Sequence, residues 1–348
     1  MFEPWGALVW PQAALAFEAI RRSPAQGPRV STAAAGVNGA LIYPRHMTVI
    51  SPTPIPALTV PADPRADVAG YLGRLGLERP ARPDVAWLFA AHRAHRECIP
   101  YDTLEIHLER PTTVDPVESI ARIVGGGGGY CFHLNGAFGT LLACLGYDVT
   151  RHVGDVRGPG PDEDAPGLDI NHQVLVVRCE GETWFVDPGL VDAPHEPMPL
   201  RAGVSQQGPF TYRLEPWAAR AGGWRFVHDV RGVFSSMVFA PEPVSIEAFA
   251  AAHRHLSTSP ASGFVRKLTF GRQDERGVDM LRGRVLERLD AAGRTPRILD
   301  SQGEWFAVLA DVFGLRLSDV DRDARARLWA RVSAAHEQWV AAQADRVA

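Results

Sequence analysis

Five consecutive glycines, Gly125 to Gly129, stand between two apolar-periodic segments, and Cys131 follows them by two positions. Glycine is the poorest helix former apart from proline. The run therefore separates a helix carrying Ile120, Ile123 and Val124 from a second helix that opens at or just after Cys131. In the second segment Phe138, Leu141, Leu142 and Leu145 recur at i, i+3, i+4 and i+7, and Gly146 is a natural C′ residue. A cysteine at this junction sits at a helix N-terminus, where unpaired N–H groups and the helix dipole favour a thiolate. The glycines allow close backbone approach, and N–H groups near Cys131 are placed to stabilise an oxyanion.

Downstream, the stretches 171–177 and 183–187 read as adjacent strands that carry one His and one Asp. If Glu180-Gly181 forms a two-residue turn, Asp187 lies opposite Val174, whose side chain shares a face with His172. His172 and Asp187 are then diagonal neighbours, about 7–8 Å apart at the backbone, which a carboxylate and an imidazole can bridge. A one-residue slip would put them on opposite faces. Together the three side chains supply a nucleophile for a carbonyl, an imidazole that handles the proton, and a carboxylate that fixes the tautomer. Thiol-based acyl transfer through Cys131, His172 and Asp187 is the expectation.

Plainer readings stand beside it. A cysteine at a helix start is often a small buried residue, a glycine run can be a loose loop, His172 an ordinary strand residue and 187–189 a plain turn. No G-K-[ST] follows the glycines, so a phosphate-binding loop is not supported. Cys144, amid leucines, is expected in the core, and Cys98 and Cys179 are read as structural.

The formal charge of −4 and pI of 6.3, without a basic block, exclude an obvious nucleic-acid partner. The four cysteines form no C-x-x-C pair and no zinc-spaced cluster, so no metal and no disulfide framework is expected. No apolar run reaches the roughly 18 residues of a membrane span, and the first residues lack a positive signal-peptide region. A cytoplasmic location without membrane attachment follows as the expectation. The 348 residues suffice for two or three domains.

Residues 1–65 are rich in proline and alanine and are expected to be disordered, with a short helix-like stretch from Gln12 to Arg22 and Met47 as an alternative translation start. From 66 to 147 the text is helical. Asp115-Pro116-Val-Glu118 offers an N-cap, a proline at N1 and a capping-box acid. From 148 to 240 it is β-like, interrupted by a loop over 157–168. From 241 to 348 helices over 245–256, 281–291, 303–313 and 323–342 mix with a strand pair near 264–270 and 293–299.

The segment Gly128-Gly-Tyr-Cys-Phe-His-Leu-Asn135 resembles the R-G-G-x-C-F-E-x-N signature of the arylamine N-acetyltransferase family. The likeness extends through Tyr71-Leu-Gly-Arg-Leu-Gly76, Ile99-Pro-Tyr-Asp-Thr-Leu104, the His and Asp strands, and Ser257-Thr-Ser-Pro-Ala-Ser-Gly-Phe264, from about residue 67 to the end. The resemblance implies an α+β fold of the papain-like cysteine-enzyme arrangement: a helical bundle with the nucleophile (66–147), a β-barrel with His and Asp (148–240) and an α/β lid (241–348). It also implies ping-pong chemistry in which an acyl-CoA, usually acetyl-CoA, loads Cys131 and a small-molecule amine, arylamine or hydrazine accepts the acyl group. By motif position Tyr101 and Leu190 are pocket residues. An amide synthase of secondary metabolism, a cysteine hydrolase using the same triad, and a non-catalytic ligand-binding member remain as alternatives.

Several positions depart from the pattern. Gly127 stands where the signature has arginine, His133 where it has glutamate, Asp102 is a shorter acid near Tyr101, and Gly189-Leu190-Val191 replaces Gly-Phe-Gly. The expectation is that an ion pair near the thiol has been lost and the pocket reshaped, and that His133 points into a polar cavity.

Overall fold

The computed structural model describes residues 58–158, 165–192 and 194–347, with side chains as far as 341. The helix-like stretch at Gln12–Arg22, Met47 and the middle of the 157–168 loop lie outside these residues. So does the expected disorder of the extension as far as 57.

The helical part begins with α1 (Val68–Leu75), capped by Asp67, which accepts from the Gly70 N–H, and ended by Gly76 in the left-handed region at φ 67°. Next come α2 (Val85–Cys98), capped by Asp84, the short β1 (Tyr101–Asp102) and α3 (Leu104–His107). In α4 (Pro116–Val124) Asp115 caps the Val117 N–H as expected. Glu118 is not a reciprocal capping-box acid: it accepts from the N–H and hydroxyl of Thr113. α5 (Cys131–Cys144) is buried on every side from Cys131 to Leu142, so its apolar stripe marks only part of a core helix. Phe132, Phe138 and Leu141 are fully enclosed, each contributing about 1.5–3 kcal/mol.

The barrel is an eight-stranded antiparallel sheet. It comprises β2 (Asp148–Arg157), β3 (His172–Cys179), β4 (Glu182–Val186), β5 (Met198–Pro199), β6 (Gly203–Gln207), β7 (Phe210–Pro216), β8 (Trp224–Val227) and β9 (Ser236–Pro243), in the order β5-β4-β3-β2-β9-β8-β7-β6. α5 packs against β2 and β3. The end of the N-terminal extension is not a free tail. Thr59 bridges Thr150, the Val60 N–H donates to Val149 O at 2.8 Å, and Val60 is buried. Cys144, expected in the core, is partly exposed and donates to Asp63 O.

The last third contains α6 (Ala250–Thr258), α7 (Gly263–Arg266), the meander β10 (Thr269–Asp274), β11 (Gly277–Arg282), β12 (Val285–Asp290) and β13 (Gly293–Ile298), then α8 (Gln302–Asp311) and α9 (Arg322–Val347). The helix expected over 281–291 is a hairpin. Leu281, Val285 and Leu289 fit a helical period, but Gly283 at φ 58° turns the chain and pairs Arg282 with Val285. The expected strand pair near 264–270 and 293–299 is also corrected: 263–266 is α7, and β11 and β12 lie between β10 and β13. β1 joins this sheet beside β10, which ties the third region to the helical one. Among the described residues no helix is long and apolar enough to cross a membrane.

Candidate active site

Cys131 is the first residue of α5 and is 3% exposed. Its own N–H and that of Phe132 have no acceptor inside the helix, as at any helix start. The glycine run is held against β1, where the Asp102 N–H donates to Gly129 O at 2.8 Å and Tyr101 bridges Gly129. The thiol donates to Asn171 O at 3.7 Å, the residue before His172.

The strand register follows from its turn. Glu180 and Gly181 both have positive φ, 52° and 81°, the geometry that matches the twist of flanking strands. Cys179 then pairs with Glu182 and Leu175 with Val186. Asp187, one residue beyond β4, falls diagonal to His172, and His172 Nε2 donates to Asp187 Oδ2 at 2.7 Å, both side chains buried. Burial alone would lower the His172 pKa, but the Asp187 carboxylate and the charge on Cys131 outweigh it and raise the value to about 10. The imidazolium thus persists, and with Nε2 on Asp187 the other ring nitrogen remains for the thiol. The three side chains named from the sequence meet in one buried site.

Two further residues complete the arrangement. Asn135 Nδ2 donates to Asp187 Oδ1 at 2.7 Å and also to Gln173 O. Its signal was the i, i+4 spacing from Cys131, which puts nucleophile and amide on one helix face. Arg96 of α2 donates to Pro188 O at 3.0 Å, to Leu190 O, to Val191 O at 3.1 Å and, through Nε, to Gln273 Oε1 at 3.0 Å. It pins the loop after Asp187 from more than ninety residues away in the chain, so no local spacing pointed to it.

A sequence profile of the N-acetyltransferase family matches residues 84–322. The arylamine N-acetyltransferase of Mycolicibacterium smegmatis is 33% identical over 272 residues, 75% of this chain and 97% of that protein. The chain belongs to the arylamine N-acetyltransferase family. The solved arylamine N-acetyltransferase of Mycobacterium marinum in complex with CoA superposes with a TM-score of 0.68 at 29% identity, over 76% of this chain and 98% of that one. A shorter match, 31% over 153 residues, is to the proansamycin X synthase of Amycolatopsis mediterranei and covers 42% of this chain and 58% of that protein. As an N-acetyltransferase the chain is a transferase with the expected α+β fold.

Against that family's signature the departures take on a definite geometry. His133 is neutral: burial and the Arg122 charge push its pKa well below the ordinary value. Its Nδ1 accepts from the Tyr130 N–H at 3.4 Å, and its ring lies 4.3 Å from Tyr130 and 5.4 Å from His253. Asp102 is buried, and burial raises its pKa to about 7 against the opposing pull of the Leu104 N–H and the Arg122 guanidinium. The ion pair expected to be lost with arginine at 127 and glutamate at 133 has no counterpart between Gly127 and His133, while Arg122 of α4 occupies the space next to Gly127 and donates from Nε to Gly128 O at 3.1 Å. Tyr101 is buried, and burial together with the charge on Cys131 holds its hydroxyl pKa well above normal. Leu190 packs in the barrel core with Val174 and Phe185.

Proposed function

We propose that this N-acetyltransferase carries an acyl group from acyl-CoA to an amine through a thioester on Cys131. The His172–Asp187 bond of 2.7 Å beside a thiol at a helix start carries this reading. The Cys131 thiolate attacks the acyl carbonyl, and the developing oxyanion faces the first-turn N–H groups. The CoA sulfur leaves and takes the proton held by His172. An amine then attacks the thioester, His172 accepts its proton, and the Cys131 thiolate is released. Asp187, held by Asn135, keeps the imidazole oriented throughout. Tyr101 flanks the acyl group, and Leu190 shapes the acceptor side through the loop that Arg96 holds. The free thiol at the centre of this chemistry suits a reducing cytoplasm.

The full-length likeness is to acetyltransferases, whereas the synthase match covers little more than half of that relative. Acyl transfer to a free amine is therefore preferred over ring-closing amide synthesis or hydrolysis. The test is intact mass after incubation with acetyl-, propionyl- or malonyl-CoA, followed by aniline-type or hydrazine acceptors. The expected result is an acyl adduct, missing in Cys131→Ala, that amines discharge. Discharge by water at a comparable rate would move the protein to the hydrolases, and no adduct with any thioester would sink the reading.

A further inference from the structure

The glycine run is wrapped around one side chain. The Gly127 N–H donates to the main-chain carbonyl of Arg122 at 2.9 Å, and Arg122 Nε donates to the Gly128 carbonyl at 3.1 Å. A Cβ at position 127 would fall 2.9 Å from Arg122 Cγ, closer than side-chain carbons approach. The rest of the guanidinium is engaged by Glu118 Oε1 at 3.1 Å and Ser119 Oγ at 3.4 Å. On the other side of the loop, a Cβ at Gly128 would fall 2.1 Å from Pro100 O and 2.5 Å from Asp102 Oδ2. Arg122 and residues 100–102 therefore clamp the run from both sides at Gly127 and Gly128, four and three residues before Cys131.

We propose that Arg122 is the positioning residue of the nucleophile loop, standing in from the preceding helix for the arginine that the family signature carries at position 127. Glycines have no side chains with which to hold a conformation, and ordering five in a row is entropically expensive. The guanidinium offsets that cost by tying the loop to α4. It also sets a positive charge close enough to influence buried Asp102, Tyr130 and His133. Glycine at 127 is then the necessary partner of arginine at 122, since the two side chains would compete for one space. Losing the guanidinium loosens Cys131 relative to His172 without touching the surfaces that bind substrate. The loss falls on the chemical step and not on acyl-CoA affinity.

This inference rests on Cys131 as the nucleophile, and its test has a readout that needs no acyl-CoA. Arg122→Gln, Arg122→Lys, Gly127→Arg and the double variant Arg122→Ala/Gly127→Arg are compared with the parent. Alkylation of Cys131 by iodoacetamide is followed by peptide mass, and single-turnover acetyl loading is followed at several acetyl-CoA concentrations. In Arg122→Gln both rates are expected to fall about tenfold, with the acetyl-CoA concentration for half-maximal loading unchanged. Arg122→Lys, which keeps the charge but not the planar fork, lies between. Gly127→Arg alone is slow, and the double variant returns to within about threefold of the parent. If Arg122→Gln is too unstable to assay, the recovery of the double variant decides the matter. Parent-like rates in a folded Arg122→Gln, or a double variant no faster than Gly127→Arg, would overturn the proposal. A parent that is alkylated in an Arg122-dependent way but never acetylated would instead refute acyl transfer and leave Arg122 in its role.

Discussion

Among the described residues the barrel holds two buried His–Asp pairs, and their contrast shows what distinguishes a pair open to a thiol from one that is not. His172 Nε2 bonds Asp187 Oδ2 at 2.7 Å. His228 Nε2 lies 3.3 Å from Asp192 Oδ1 and 2.9 Å from the Asp192 carbonyl, while its Nδ1 faces Asp229 O at 3.2 Å. Burial opposes protonation in both rings, and in both the neighbouring carboxylate raises the pKa above its ordinary value. The difference is in the second ring nitrogen. In His228 it is committed to a main-chain carbonyl, and Asp192 is further tied by the Val233 N–H at 2.8 Å, so the pair is a clamp between loops. In His172 it is left for Cys131. A buried His–carboxylate bond is thus a structural unit, and on the proposed reading it turns to catalysis only when a nucleophile completes it.

Substitutions should separate the two pairs, most strongly at the thiol side. Cys131→Ala is expected to abolish acyl loading, and Asp187→Asn to reduce turnover about 10⁴-fold by releasing the imidazole from its tautomer. Steady-state rates at saturating acetyl-CoA check both, and equal losses on changing Asp192 would erase the distinction. His228→Gln is expected to cost about 3 kcal/mol in denaturant unfolding, because a fully buried carboxylate loses its partner. Its turnover per folded molecule should stay within about threefold of the parent. Arg96→Met leaves the carbonyls of Pro188, Leu190 and Val191 without their buried donor. A stability loss of about 2–3 kcal/mol is expected, together with a change in KM for the amine larger than that for acetyl-CoA.

A further test is a pH dependence. Folded His172 keeps its proton to about pH 10, whereas the unfolded chain releases it near 6.5. Its contribution to stability is therefore complete below pH 6.5 and is lost as pH rises through about 10. Within that window the slope is about 1.4 kcal/mol per pH unit. Denaturant titrations of the parent against His172→Gln measure it. In Cys131→Ala the window should narrow from its upper end, because one of the charges that raise the imidazole pKa is gone. An unchanged window would mean that Asp187 alone sets it.

The His172–Asp187 contact was legible because β-geometry is periodic. A two-residue Glu180-Gly181 turn dictates which residues face each other, and the observed pairing of Leu175 with Val186 is the one it requires. The same reasoning failed at 281–291, where the spacing of Leu281, Val285 and Leu289 satisfies a helix as well as a hairpin. There the pairing of β11 with β10 and β12, a tertiary fact, overrides the local period. Asn135 lay within the quoted signature and needed only its distance of one helical turn from Cys131 to be noticed.

Local pattern alone thus established a cysteine at a helix start behind a glycine break, a His and an Asp on one face of a hairpin, and an order of helical, β and mixed regions. Each is encoded by residues a few positions apart, where backbone periodicity and turn chemistry act. Which histidine–aspartate pair faces a thiol, how Arg96 holds the loop beyond Asp187, and that Arg122 fills the place emptied at Gly127 were decided by packing. Those contacts join side chains by filling shared space and neutralising buried charge, and neither condition leaves a mark on the spacing of residues along the chain.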